Sequence, residues 1–137
     1  MKIAVVDGQG GGMGKVVVEK LKKTFAEKVQ ILALGTNSLA TSIMLKAGAN
    51  AGAMGENAIV CNAPNVDLII GSIVIISGNS LSGELTAIMA AAISDSNALK
   101  ILIPLNQSRI EVAGNINKPL PHYVDDVINL VNQQLRR

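Results

Sequence analysis

The sequence has almost no aromatic residues, with one phenylalanine, one tyrosine and no tryptophan among 137 residues. Single-stranded nucleic acids are held largely by stacking of bases on aromatic side chains. Charge is also nearly balanced, because 12 basic and 10 acidic residues leave a formal net charge of only +2. A mildly basic face lies on or just after the first predicted helix, at Lys20, Lys22, Lys23 and Lys28. Tracking a phosphate backbone requires far more positive charge on one face, so we expect no nucleic-acid partner.

Cysteine and histidine are equally scarce, with one of each, Cys61 and His122. A lone cysteine excludes a disulfide within the chain, and no Cys or His pair has the spacing of a metal site. We therefore assign no metal ligand and no catalytic residue. Because Cys61 lies in a short apolar run typical of a strand, we expect it to be a reduced core residue in a reducing compartment.

Long hydrophobic runs are also lacking. The apolar run from Leu68 to Ile76 is interrupted by Gly71 and Ser72, whereas a membrane-spanning helix needs about 20 apolar residues. The N-terminus begins at once with a predicted strand and shows no signal-peptide pattern. We expect no membrane partner and a cytoplasmic location.

Short apolar runs alternate with segments of helical periodicity along the chain. The runs are almost continuously apolar, which is typical of parallel strands covered on both faces. This order predicts a single Rossmann-like α/β domain, residues 1–137, with a doubly wound, mostly parallel sheet and helices on both faces. Strands are predicted at Lys2–Val6, Val29–Leu34, Ala58–Asn62, Val66–Ile70 with a continuation at Ile73–Ile76, Lys100–Leu105 and Ile110–Ala113. Helices are predicted at Gly12–Ala26, Ser38–Ala47 and Ser82–Ile93, and from about Pro121 onwards.

Glycine is concentrated between the first predicted strand and the first predicted helix. Five of the 13 glycines in the chain fall between Gly8 and Gly14. A strand, a glycine loop and a helix N-terminus together present backbone N–H groups to an anion, and glycine lets a phosphate approach closely. A tight turn alone would need one or two glycines. We therefore predict phosphate contacts at Gly8, Gln9, Gly10, Gly11, Gly12, Met13 and Gly14.

The spacing of these glycines distinguishes between known phosphate loops. The pattern G-x-G-x-x-G is not met, and a P-loop is excluded because Val16 replaces the Ser or Thr that holds magnesium. The pattern G-x-x-x-G-x-G fits Gly8, Gly12 and Gly14 and resembles the cofactor loop of short-chain dehydrogenases. Asp7 directly precedes the loop, where a carboxylate would repel phosphate unless a cation intervened.

A second candidate cluster follows the second predicted strand. NAD-binding Rossmann proteins place an acid there, about 20 residues beyond the loop, to hold the adenosine ribose. This sequence has no carboxylate at that place and instead offers Thr36, Asn37 and Ser38. These side chains either bind a ribose hydroxyl or second phosphate, or simply cap the second helix. NAD, NADP and other nucleotides all remain candidate cofactors.

Four segments of the chain resemble a family of short bacterial proteins of unknown function. They are VVDGQGGGMGK at 5–15, ALGTNSLATSIMLKAGA at 33–49, GENAIV at 55–60 and ILIPLN at 101–106. The resemblance extends over roughly residues 1–115. It implies a small, stand-alone bacterial cytoplasmic protein and supplies no activity, substrate or catalytic residue.

Three functions are compatible with these patterns. The first is binding of a nucleotide or dinucleotide phosphate by a sensor or carrier. The second is an NAD(P)-dependent oxidoreductase using Asn62, Asn79 or a partner chain, although the Tyr-x-x-x-Lys pair is missing because Val127 stands four residues after Tyr123. The third is a structural or assembly protein without a ligand.

Two further features concern the surroundings of the loop. The Gly48–Asn57 segment is longer than a helix-to-strand turn requires, and it could cover the site, contact another subunit or be flexible. The predicted helix around Leu85–Ile93 has no charged residue, so we expect it to form a homo-oligomer contact. The alternative is burial of this helix within one chain, beneath a long loop such as residues 48–57.

Overall fold

The computed structural model describes residues 1–105 and 109–137. Within them lie five strands: β1 Lys2–Asp7, β2 Gln30–Gly35, β3 Ala51–Met54, β4 Leu68–Ser72 and β5 Leu99–Ile103. The helices are α1 Gly12–Phe25, α2 Ser38–Lys46, α3 Glu56–Asn62, α4 Ala87–Asp95 and α5 Leu120–Leu135. All strand pairs are parallel, in the order β3-β2-β1-β4-β5. The predicted parallel α/β sheet is therefore confirmed.

Helices cover both faces of the sheet because successive strand side chains point to opposite sides. In β1, Ile3 and Val5 join a core with buried residues of α1, α2 and α5, such as Val17, Met44 and Val124. Ala4 and Val6 join a second core with residues of α3 and α4. Both sets are almost fully buried, which explains why the strand sequences are continuously apolar.

The strand order reverses between β1 and β4. From β1 the chain proceeds to β2 and β3 on one side, and then crosses back to β4 and β5 on the other. The loops after β1 and β4 therefore diverge at the carboxyl edge of the sheet and leave a crevice, where ligands bind in open α/β sheets. The glycine loop, residues 8–14, lies at this edge.

The predicted strand at Ala58–Asn62 is wrong, because these residues belong to helix α3. A short apolar run is compatible with either a buried strand or one face of a helix. Here a single residue, Ile59, is fully buried, whereas Cys61 is exposed on the opposite side of the helix. The expectation of a core position for Cys61 is therefore also wrong.

The third strand lies instead inside the Gly48–Asn57 segment. Residues Ala51–Met54 form β3, which pairs with β2 at the edge of the sheet. A Cβ atom at Gly52 would lie 3.0 Å from side-chain atoms of Leu45 and Thr41 on α2. Small residues are needed here because α2 packs closely on the strand. Residues 51–54 of the segment form an edge strand, and Ile88 on α4 stays exposed.

Three other predicted elements also differ from the structure. Ile73–Ile76 is a turn of 3₁₀ helix, which the Ser72 hydroxyl begins by accepting a hydrogen bond from Val74 N–H. The helix predicted from Ser82 begins at Ala87, after a separate 3₁₀ turn at Leu81–Gly83. The described residues 110–113 form no strand.

Candidate functional site

A cleft of about 530 Å³ opens at the carboxyl edge of the sheet. One wall is the glycine loop with the N-terminus of α1, and the other is formed by residues that follow β4 and β5. The lining residues are Asp7 to Met13, Ser72, Val74, Leu81, Ser82 and Leu105. The Ser72 hydroxyl donates a 2.6 Å hydrogen bond to the Leu105 carbonyl and so joins the ends of the two strands. The cleft lies at the reversal of strand order.

Three of the loop glycines are required by the fold itself. A Cβ atom at Gly8 would lie 2.5 Å from Thr36 Oγ1, and one at Gly14 would lie 2.6 Å from Met44 Sδ. Gly11 has φ of 71°, which side-chain-bearing residues rarely adopt, and its Cβ would lie 2.9 Å from Ala40 Cα. Packing and backbone conformation account for glycine at these positions.

Gly10 and Gly12 are different. A Cβ atom at either position would meet no atom within 4 Å among the described residues. Neither residue has a left-handed backbone. Both line the cleft. Nothing in the described part of the fold therefore requires glycine at positions 10 and 12.

The Asp7 carboxylate organises the loop from inside. Its Oδ1 accepts a 2.8 Å hydrogen bond from Gly8 N–H, and its Oδ2 accepts one of 2.6 Å from Gly14 N–H in the first turn of α1. Asp7 thus replaces the side-chain cap that Gly11 cannot supply. Burial raises the pKa of Asp7, and the two backbone hydrogen bonds act against that rise. Both carboxylate oxygens are engaged by the loop.

Several backbone N–H groups of the loop remain available. Gly11 N–H donates to the Gly8 carbonyl at 3.0 Å, and Gln9 N–H donates to Glu84 at 2.8 Å. The N–H groups of Gly10, Gly12 and Met13 have no hydrogen-bond acceptor within residues 1–105 and 109–137. Unpaired N–H groups at a helix N-terminus attract anions.

The second predicted cluster lies beside the cleft and contacts Glu84. Glu84 Oε1 accepts hydrogen bonds from Thr36 Oγ1 at 2.7 Å and from Asn37 Nδ2 at 2.8 Å, in addition to the Gln9 N–H. These bonds, with that of Thr36 first, lower the pKa of Glu84. Asn37 also caps α2 by accepting from Ala40 N–H at 2.8 Å. Neither Thr36, Asn37 nor the exposed Ser38 lines the cleft.

Glu84 therefore places a carboxylate near the end of β2, where the sequence shows none. The residue lies 48 positions after Thr36 in the chain, beyond β4. No spacing rule for the β2 end predicts a partner that far along the chain. It is the principal site residue that the sequence analysis missed.

The two asparagines of the oxidoreductase alternative do not meet at the cleft. Asn62 ends α3 near Lys2 and Gln30, at the amino edge of the sheet. Asn79 is exposed, and its N–H donates to the Leu85 carbonyl at 2.7 Å. In the described chain, no three His, Cys, Asp or Glu side chains are grouped so as to hold a metal. None of the helices described is long and apolar enough to cross a membrane.

The fold and the cleft define a Rossmann-like α/β protein with a glycine-rich loop at the switch point of the sheet. The model of one protein family, the domain of unknown function DUF3842, matches residues 2–136, so the chain belongs to that family. This confirms the resemblance to a family of unknown function and extends it almost to the C-terminus. No curated protein matches the chain.

Among solved structures, the chain is similar to a dodecameric FMN-dependent UbiX-like decarboxylase from Escherichia coli O157:H7. The two sequences are 14% identical, the TM-score is 0.47, and the match covers 96% of this chain and 95% of that chain. FMN dependence and the dodecamer are properties of that decarboxylase. A likeness at this level concerns the fold alone.

Proposed function

We propose that the cleft binds the phosphate group of a nucleotide through the Gly8–Gly14 loop, and that the protein acts as a nucleotide sensor or carrier. The observation that supports this proposal is the pair Gly10 and Gly12. The described part of the fold requires glycine at neither position, yet both line the cleft. A ligand that approaches the backbone closely supplies a reason for both.

The arrangement of the loop suits an anion. The N–H groups of Gly10, Gly12 and Met13 are unpaired within the described residues, and a helix N-terminus has a charge of about +0.5. The Asp7 carboxylate accepts hydrogen bonds from the Gly8 and Gly14 amides, and the unpaired N–H groups are left for an anion. The apolar side chains of Val74 and Leu105 line the opposite wall, where the base or ring of a nucleotide would pack.

The second predicted cluster, Thr36 to Ser38, supports the glycine loop and does not bind the phosphate in this proposal. Thr36 and Asn37 bind Glu84, which in turn holds Gln9 in the loop. Ser38 would contact only a ligand that extends beyond the cleft. We further propose a bacterial cytoplasmic setting, with which the free, exposed thiol of Cys61 is compatible.

The test is thermal unfolding of the protein with AMP, FMN, NAD and FAD, followed by the Gly12→Val variant. A ligand at a hundredfold excess over its Kd stabilises the folded state by about 2.7 kcal/mol. Gly12→Val should abolish that stabilisation and leave the circular dichroism spectrum unchanged, because a side chain at position 12 has open space. Thr24→Val, an exposed position at the other end of α1, is the matched control and should respond to ligand as the wild type does.

Two results would contradict the proposal. A Gly12→Val variant that is still stabilised by the ligand would place the ligand elsewhere. A wild-type protein that responds to none of the four compounds would favour the structural or assembly alternative.

A further inference from the structure

We infer that Glu84 is a specificity-determining residue that closes the cleft on the β2 side and restricts the ligand to a mononucleotide. This inference rests on the proposed function. In dinucleotide-binding Rossmann sites, the ribose of the adenosine half lies at the end of β2. Here the polar groups at that place, Thr36 and Asn37, are already bound by the Glu84 carboxylate.

The Glu84 carboxylate joins the glycine loop to the β2–α2 turn. One oxygen, Oε1, accepts from Gln9 N–H of the glycine loop and from both side chains of the β2–α2 turn. The three distances fall between 2.7 and 2.8 Å. Glu84 Oε1 therefore connects the glycine loop to the β2–α2 turn. The Thr36 hydroxyl and the Asn37 amide both donate to it and are not free to bind a ligand.

Leu81 forms the end of the cleft on this side. Its Cδ1 lies only 2.8 Å from the position of a Cβ at Gly8, and Thr36 Oγ1 lies 2.5 Å from the same point. Leu81 and Ser82 line the cleft, whereas Thr36, Asn37 and Glu84 do not. A ligand in the cleft thus meets Leu81 before it reaches the β2 end.

The backbone that presents this wall is unusual. Asn79, Leu81 and Ser82 have φ of 68°, 54° and 56°, and Gly83 has φ of 87°. Left-handed backbone at Leu and Ser is costly, and it persists only where surrounding contacts hold it. Glu84, the next residue along the chain, supplies such contacts through its three hydrogen bonds. Removing its carboxylate should therefore release the wall.

The experiment compares each mononucleotide with the dinucleotide that contains it. Affinities for AMP, NAD, FMN and FAD are measured by titration calorimetry on the wild type, Glu84→Ala and Glu84→Gln. Wild type should bind AMP or FMN at least about tenfold more tightly than its dinucleotide, a difference of about 1.4 kcal/mol. Glu84→Ala should tighten dinucleotide binding and so bring the ratio of the mononucleotide affinity to the dinucleotide affinity close to one. Glu84→Gln, which keeps one acceptor oxygen, should give a ratio between the two.

The control is Glu27→Gln, which alters an exposed carboxylate that has no hydrogen-bond or ion-pair partner among the described residues. It should keep the wild-type ratio. If Glu84→Ala does not fold, Leu81→Ala provides the test, because it shortens the wall without removing any Glu84 hydrogen bond. It should also lower the ratio.

The outcomes separate the two proposals. Equal wild-type affinities for a mononucleotide and its dinucleotide would overturn the role of Glu84 and leave phosphate binding in place. A folded Glu84→Ala protein with an unchanged ratio would overturn it too. Failure of the wild type to bind any of the four compounds would overturn both.

Discussion

Two carboxylates hold the glycine loop from opposite sides, and their pKa values shift in opposite directions. Burial raises the pKa of Asp7 above its ordinary value of 3.8, because desolvation outweighs two backbone hydrogen bonds. Three hydrogen bonds to the ionised form, with that of Thr36 first, lower the pKa of Glu84 below 4.5. Ionisation of Asp7 therefore costs stability as pH rises above 3.8, whereas ionisation of Glu84 adds stability.

The contribution of Glu84 predicts a pH-dependent effect of Glu84→Gln. Since the folded-state pKa of Glu84 is lower than its unfolded value, its stabilisation is complete above pH 4.5 and is lost as pH falls through the folded pKa. The wild type should be more stable than Glu84→Gln at pH 7, and the difference should shrink steadily below pH 4.5. Urea unfolding between pH 7 and pH 3 measures the difference.

The control for this titration is Glu27→Gln. Glu27 is exposed and has no hydrogen-bond or ion-pair partner among the described residues. Its replacement should leave the urea midpoint unchanged at both ends of the pH range. A difference for Glu84→Gln that is constant, or that grows on acidification, would show that the Glu84 carboxylate does not stabilise the folded loop.

At the residue scale, the sequence predicts the position of the loop but not the structural role of each glycine. The pattern G-x-x-x-G-x-G selects Gly8, Gly12 and Gly14, yet Gly8 and Gly14 are needed for contacts with Thr36, Met44 and Asp7. Those contacts come from other elements of the fold. Local spacing shows that glycine is needed in a turn, and only the packed structure shows which glycines leave open space toward the cleft.

At the scale of elements, α4 depends on one residue for its start. Thr86 Oγ1 accepts a 3.1 Å hydrogen bond from Met89 N–H and donates a 2.8 Å bond to Glu56 Oε2 at the start of α3. The hydroxyl therefore caps one helix and ties it to the next. Leu85, the residue before this cap, is fully buried. The cap and the buried Leu85 together hold the segment that leads from the cleft wall into α4.

Replacing Thr86 by Ala should lower the free energy of unfolding by about 1 kcal/mol, which is typical of a lost helix cap. Thr86→Ser retains the hydroxyl and should recover most of the loss. Chemical denaturation of the three proteins measures both effects. Equal stability of Thr86→Ala and Thr86→Ser would mean that the hydroxyl does not stabilise the fold. Any loss relative to the wild type would then come from the Thr86 Cγ2 methyl group, which both variants lack.

The elements that the sequence predicts well are those whose apolar runs are long and bounded by clear signals. β1, β2 and α2 are examples, since Asn37 caps α2 as its side chain suggests. The sequence predicts no strand at Ala51–Met54 and wrongly predicts one where α3 lies, because AGAM has little intrinsic strand character, whereas AIVCN is rich in apolar residues. Pairing with β2 makes Ala51–Met54 a strand, and packing of Ile59 against α4 favours a helix over Glu56–Asn62. Neither tertiary contact is visible in a local window.

At the scale of the whole molecule, the topology brings together groups that are far apart in the sequence. The glycine loop follows β1, Ser72 ends β4 and Leu105 follows β5, yet all three line one cleft. The alternation of strands and helices was enough to predict the parallel sheet and the edge at which the loop lies. It could not predict the role of Glu84, because the sequence places Glu84 in a helix from Ser82, whereas the residue lies between a 3₁₀ turn and α4 and its partners are far away in the chain.

The same topology leaves the outer face of α4 exposed. Ile88 on α4 is 59% exposed, and its neighbours Ala87 and Ala91 are exposed as well. The alternative of burial of α4 beneath residues 48–57 is wrong, because Ile88, Ala87 and Ala91 are exposed. We propose that a second copy of the chain covers this face, since small alanine side chains allow two helices to approach closely and twofold pairs are the commonest oligomers.

This proposal predicts a dimer that one added charge on α4 divides. At micromolar concentration, sedimentation should show a species of twice the 14.2 kDa of one chain. Ala91→Glu should convert it to a folded monomer, because the exposed position tolerates a carboxylate in the single chain but not in an apolar interface. The control Thr24→Glu, at an exposed position on α1 on the opposite face of the sheet, should remain a dimer. A wild-type monomer would refute the homo-oligomer, and an Ala91→Glu protein that stays dimeric would move the interface away from α4.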